Sequence, residues 1–145
     1  MKWTLIFRDD EILEIKAFGS FTNMDLIFMI EQIISDPRWK PGMDAVADFR
    51  FVSSYDIKLN DLFLSIKIHK QFENMAGKGR IAVILGDKTS MLLSHAYKII
   101  AFMYMKIKFR SFDDYEAAFK WLAGDMNYTS VLEMNEEITG PFKYN

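Results

Sequence analysis

The chain has no cysteine. That removes disulfides, thiolate metal ligands and cysteine nucleophiles, and it suits a reducing cytoplasm. Net charge is also scarce. The 18 Lys and Arg residues stand against 20 Asp and Glu, and a balance of −2 gives no electrostatic reason to expect nucleic acid as a partner. There is no run of about 18 apolar residues, so no membrane span is expected. The apolar run within Met1 to Arg8 is too short for a signal peptide, and a cytoplasmic location is the expectation. Only two histidines occur, His69 and His95, on different expected helices and without carboxylates at ligand spacing. Both read as structural residues. No Ser, His and Asp set sits in a nucleophile-elbow context. No catalytic residue, metal site or cofactor is therefore assigned, and the protein reads as a non-enzyme.

What is present is a core. The length of 145 residues suits one ordinary domain, and half of the residues are hydrophobic, enough to bury a sizeable interior. The longest run of small and β-branched residues is Arg80-Ile-Ala-Val-Ile-Leu-Gly86, which reads as a strand buried at the centre of a parallel sheet.

The other elements can be placed around it. Trp3 to Arg8 reads as a first strand, Asp9-Asp10 as a two-residue break, and Glu11 to Phe18 as an alternating strand with Leu13, Ile15 and Ala17 on one side and Glu14 and Lys16 on the other. Thr22 is placed to cap a helix running to about Ser35, with Asp25 at its positive end. Leu26, Ile30, Ile33 and Ile34 make its core stripe, and Met24, Ile27 and Phe28 a second stripe beside it. Asp44 to Arg50 reads as a strand and Phe51 to Lys58 as a loop. A helix over about 61–74 then presents Leu64, Ile68, Phe72 and Met75 to the core. A further helix is expected over 90–105, a strand over Lys106 to Arg110, and a closing helix after Asp113, whose spacing to Glu116 is that of a capping box. The outer strands alternate charged and apolar residues, so one sheet face is expected to be only partly covered.

The order is β-β-α-β-α-β-α-β-α. It implies an α/β fold with a mostly parallel five-stranded sheet, one antiparallel strand and right-handed crossovers. Residues 1–123 make the domain. Residues 124–145 are a more polar extension, expected to be partly disordered or to form one short helix over Ser130 to Ile138.

This order resembles that of the STAS-type domains, which include the bacterial anti-sigma-factor antagonists. The chain is most similar to the stand-alone bacterial SpoIIAA-like proteins. The residues that carry the likeness are Phe18-Gly19 followed by Thr22, then Asp48-Phe49-Arg50, and finally Phe112, Ala118 and Trp121-Leu122. The resemblance covers roughly residues 3 to 123. It implies a module that acts in regulation or through protein contacts. One departure matters. The antagonists carry a phosphorylated serine directly after an aspartate at the start of the second helix. Here that aspartate would be Asp56, and Ile57 follows it. Ser53 and Ser54 come too early, so the usual phospho-switch is not expected.

Ligands of open parallel sheets favour the carboxyl ends of the strands. Gly86-Asp87-Lys88-Thr89-Ser90 offers backbone N–H groups, hydroxyls and a lysine at a helix start, an arrangement suited to an anion or a partner, with Asp56 in a neighbouring loop. It is not a P-loop, and an ordinary helix cap is the plainer explanation. Leu93, Tyr97 and Tyr104, with Met24 and Phe28, exceed what one core stripe needs. They are read as a homodimer surface, or as the lining for a small apolar, lipid-like ligand whose binder or carrier this protein would be. The other residues of that lining would be Met91, Phe102, Met103 and Met105.

Overall fold

The structure, a computed structural model, describes residues 1–56, 58, 60, 63, 64, 67, 70, 73–75, 77–85, 108–124, 138 and 139. Within them lie strands β1 (Lys2–Phe7), β2 (Ile12–Thr22), β3 (Asp44–Asp56), β4 (Arg80–Ile84), β5 (Lys108–Phe112) and β6 (Ile138–Thr139). Two helices carry the described packing, α1 (Asn23–Ser35) and α2 (Tyr115–Leu122). The strands form one sheet in the order β1-β2-β3-β4-β5-β6, so β3 and β4 lie at its centre. β2 to β5 run parallel, and β1 pairs antiparallel with β2. This is the mostly parallel α/β sheet expected from the sequence, with one addition. The tail returns at Ile138–Thr139 and pairs antiparallel with β5, so Ile138 is strand rather than the end of a helix.

The β1–β2 connection is one residue longer than a two-residue break. Glu11 N donates to Arg8 O at 3.1 Å, closing a β-turn, and Glu11 itself takes a left-handed backbone with φ of 61°. A turn followed by one left-handed residue is the usual three-residue hairpin loop. Three other boundaries also differ from expectation. β2 does not stop at Phe18 but runs on to Thr22. Phe51 to Asp56 is strand, not loop: β3 continues beside β2 as far as the Thr22–Asp56 pair, whereas β4 pairs with β3 only as far as Asp48. Among the described residues, β2 and β3 therefore run on past β4 as a two-stranded ribbon. The ladder slips between Lys16 and Phe18 and again between Gly19 and Ser20, as bulges do where strands bend. The last parallel strand runs on to Phe112, two residues past the expected Arg110.

Alternation divides the core into two layers. On the first face Leu13, Ile15, Ala17, Ala45, Ala47, Phe49, Ile81 and Val83 pack with Leu26, Met29, Ile30 and Ile33 of α1 and with Trp39. On the second face Val46, Ala82, Ile84 and Phe112 pack with Ala117, Ala118, Trp121 and Leu122 of α2. Each large apolar side chain buried in this way contributes about 2 kcal/mol. Of the second stripe read on α1, Ile27 is buried, whereas Met24 and Phe28 are exposed.

Both helices have defined starts. Thr22 Oγ1 accepts from Asp25 N at 3.2 Å and Thr22 N donates to Asp25 Oδ2 at 2.8 Å, a reciprocal cap. α2 is capped by Asp114, one residue later than expected, whose Oδ1 accepts from Ala117 N at 2.8 Å. Its far end is held by Arg80, which donates to Leu122 O at 2.7 Å while also pairing with Asp44 at 2.6 Å.

Residues 60, 63, 64, 67, 70 and 73–75 are helical, within the helix expected there. Leu64 and Met75, expected in the core, are instead half exposed. The helix presents this side outward, and its end is fixed by Trp39 Nε1 donating to Met75 O at 3.0 Å. The helix expected over 90–105 lies outside the described residues.

Candidate functional site

On the second sheet face, α2 covers β3, β4 and β5 and leaves β2 partly open. Side chains that alternate onto this face from β2 and β3 are Glu14 and Lys16, and Asp48 and Arg50. Asp48 is the most deeply buried charge, at 1% exposure. Arg50 clamps it from two residues along the same strand: Nε reaches Oδ1 at 3.0 Å, Nη2 reaches Oδ2 at 2.9 Å, and the Arg50 backbone N–H donates to Oδ1 at 3.0 Å. Burial works against ionisation of Asp48, but these Arg50 contacts outweigh it and hold the carboxyl below its ordinary value. Lys16 Nζ lies 3.3 Å from Glu14, and Arg8 Nη1 lies 3.8 Å from the same carboxylate.

Tyr115, the first residue of α2, enters this set from above. Its hydroxyl is buried and makes no well-formed hydrogen bond. Burial, followed by the negative charge of Asp48 and the nearness of Glu14, pushes the phenol well above its ordinary value. Its ring receives the Arg50 guanidinium at 5.2 Å and the Lys16 ammonium at 5.8 Å, and it stacks on Phe119, over which Arg8 sits at 4.7 Å. The chemistry follows from this pairing. Each of the two carboxylates has a cation beside it and the phenol stays protonated, so the charges of the cluster are met from within it. What it does is tie the start of α2 to β2 and β3.

Beyond the cluster, where the ribbon leaves β4, Phe18 and Phe51 stack on each other with centroids 5.6 Å apart. They are 40% and 57% exposed, and Arg50 lies 5.8 Å from the Phe51 ring. An exposed aromatic pair beside a guanidinium held in place from below has the make-up of a contact surface rather than of core, and it is the candidate site.

Two clefts lined by described residues lie at the opposite end. One of about 400 Å³ is bounded by Phe7 to Asp10, and another of about 410 Å³ by Glu11, Lys40, Met43 and Asp44 among others. That is the amino end of the parallel strands, away from the carboxyl end where the sequence placed a ligand.

Gly86, Lys88, Thr89 and Ser90, and likewise Leu93, Tyr97 and Tyr104, lie outside the described residues. Asp56 is exposed at the end of β3, opposite Thr22. Met24 and Phe28, each 52% exposed, sit four residues apart on α1. The Glu14, Asp48, Arg50 and Tyr115 cluster and the Phe18–Phe51 pair were missed as sites. The first had a signal: charges at alternate positions of two apolar strands. The second had none, because the bulges that set its register are not written in the local sequence.

No family model matches the sequence, and no curated protein does. A solved structure does match: an uncharacterized protein from the DUF3478 family with a SpoIIAA-like fold, from Shewanella loihica PV-4. The TM-score is 0.54 at 18% identity, covering 83% of this chain and 92% of that one. The fold is SpoIIAA-like. At this identity the likeness speaks for the fold alone. Among the described residues, no group of three or more His, Cys, Asp and Glu residues is placed to hold a metal, and no helix is long and apolar enough to cross a membrane.

Proposed function

We propose that this SpoIIAA-like protein is a non-enzymatic module that works through contact with another protein, in a regulatory role and without the antagonists' phosphorylatable serine. The observation that carries the reading is the exposed Phe18–Phe51 stack beside Arg50. Rings cost free energy when left in water, and the buried Asp48 holds the guanidinium next to them whether or not a partner is present. The self-paired charges behind the rings support a structural role over a catalytic one.

The test is a photo-crosslinkable amino acid in place of Phe51, expressed in the native host. One protein crosslinked at near-stoichiometric yield, and lost on Phe18→Ser, is the expected result. Turnover of a metabolite by the purified protein, with no crosslinked partner, would place it among the enzymes. The reading as a carrier of an apolar small molecule rests on residues 91–105, outside the described set. A lipid retained in native mass spectrometry would favour it.

A further inference from the structure

The residues at 60, 63, 64, 67, 70 and 73–75 are helical, and their outward side is unusual. Phe63, Leu64 and Met75 are 48%, 50% and 54% exposed. Offsets of three and four place Phe63, Lys67, Lys70 and Asn74 along one row, with Asn60 and Leu64 beside them. Lys67, Lys70, Asn60 and Asn74 are exposed as well. Large apolar side chains therefore stand among lysines on one outward face. The charge is segregated: residues 57–79 hold Lys58, Lys67, Lys70 and Lys78 against only Asp61 and Glu73, in a chain whose net charge is −2.

We propose that this helical face docks reversibly on an anionic membrane surface. An amphipathic helix with lysines flanking Phe and Leu lies at such an interface, its rings entering the headgroup boundary and its lysines reaching the lipid phosphates and carboxylates. The segregated lysines, Lys67 and Lys70 exposed among them, give this face charge complementarity to anionic lipid in a chain that is otherwise net acidic. The Trp39 to Met75 hydrogen bond fixes one end of the face to the core, so it is presented preformed. The contact uses none of the residues of the Phe18–Phe51 surface, and it stands or falls separately from the protein-contact reading.

Each lysine near an anionic surface strengthens binding about fivefold, so a few lysines with two or three inserted side chains give weak, salt-sensitive association. The test is flotation of the full chain with vesicles of phosphatidylcholine alone, and with about one third phosphatidylserine. Binding to the anionic vesicles only, weakened roughly tenfold or more by Lys67→Glu with Lys70→Glu, is expected. In addition, the extra fluorescence of the Phe63→Trp variant is expected to be quenched by brominated lipid, a readout that a merely structural residue would not move. These positions are exposed, so circular dichroism of both variants is expected to match the parent. The proposal is overturned by absence of flotation, by equal binding to both vesicles, by binding that K67E/K70E leaves unchanged, or by a lack of quenching. It is equally overturned if polyglutamate shifts the F63W fluorescence and anionic vesicles do not, which would make the face a site for an acidic protein.

Discussion

Replacing Asp48 with asparagine removes the charge that three Arg50 contacts converge on, with little change of shape. Breaking a buried ion pair from one side costs about 3–5 kcal/mol when the surviving charge stays dry. Here Arg50 is 34% exposed at its side chain and also rests on the rings of Tyr115 and Phe51, so part of its charge reaches water. A loss of about 2–3 kcal/mol is the expected cost. The double replacement Asp48→Leu with Arg50→Met removes both charges. It is expected to cost under about 1 kcal/mol, because no charge is left buried without its partner. Urea unfolding of the parent, Asp48→Leu, Arg50→Met and their double variant gives the coupling energy, with unchanged slopes confirming that the unfolded states are comparable. The pH dependence adds a second readout. The folded carboxyl titrates below its unfolded value, so its contribution is complete above the unfolded value, near pH 4, and is lost as pH falls through the folded one. D48N is therefore expected to flatten the acid side of the stability profile. A D48N variant within about 0.5 kcal/mol of the parent, or a double variant worse than D48N, would refute the clamp.

Three further substitutions follow from the same geometry. Tyr115→Phe deletes a buried hydroxyl that lacks a well-formed hydrogen bond, so it is expected to be neutral or to stabilise by up to about 1 kcal/mol; a loss greater than that in thermal unfolding would show a bond the geometry lacks. Gly79→Ala would place a methyl 2.1 Å from Met43 O, a backbone atom, and is expected to cost about 3 kcal/mol in chemical denaturation. Glu11→Gly relieves a left-handed backbone at the loss of one exposed ion pair with Lys40, and a gain of a few tenths to about 1 kcal/mol is expected by calorimetry.

The sheet was legible because its signals are local. Alternation in β2, the compact run of β4 and the Thr22 cap each sit within a few residues, and each is found there, although β2 runs on past Phe18 to Thr22. The errors fall where local signals compete. Phe51-Val-Ser-Ser-Tyr-Asp56 contains two serines and an aspartate, turn formers in isolation, but the facing β2 residues from Phe18 to Thr22 supply a ladder that holds it as strand. Leu64 and Met75 have core spacing, and which side of a helix faces inward is decided by neighbours such as Trp39, 36 residues away from Met75 in the chain. The charged cluster has the same origin. Glu14 and Lys16 read as a wet face, because the residue that covers them, Tyr115, comes about a hundred residues later.

The course of the ribbon also bears on how such a module could be regulated. A phosphate acts best at a helix start, where free N–H groups and the helix dipole receive it. Here Asp56 is the last residue of β3 and pairs with Thr22, so the aspartate that corresponds to the antagonists' switch is committed to a strand ladder. The following residue is isoleucine, which has no hydroxyl to modify. Ser54, two residues earlier, donates to Ser20 Oγ at 2.8 Å across the ribbon, so its hydroxyl is already engaged within the ladder. Both the chemistry and the backbone thus disfavour a switch at this point. Under the function proposed above, control would come from which surface is occupied. The ribbon that displaced the switch also carries the exposed Phe18–Phe51 stack, with Arg50 held beside it by a buried carboxylate.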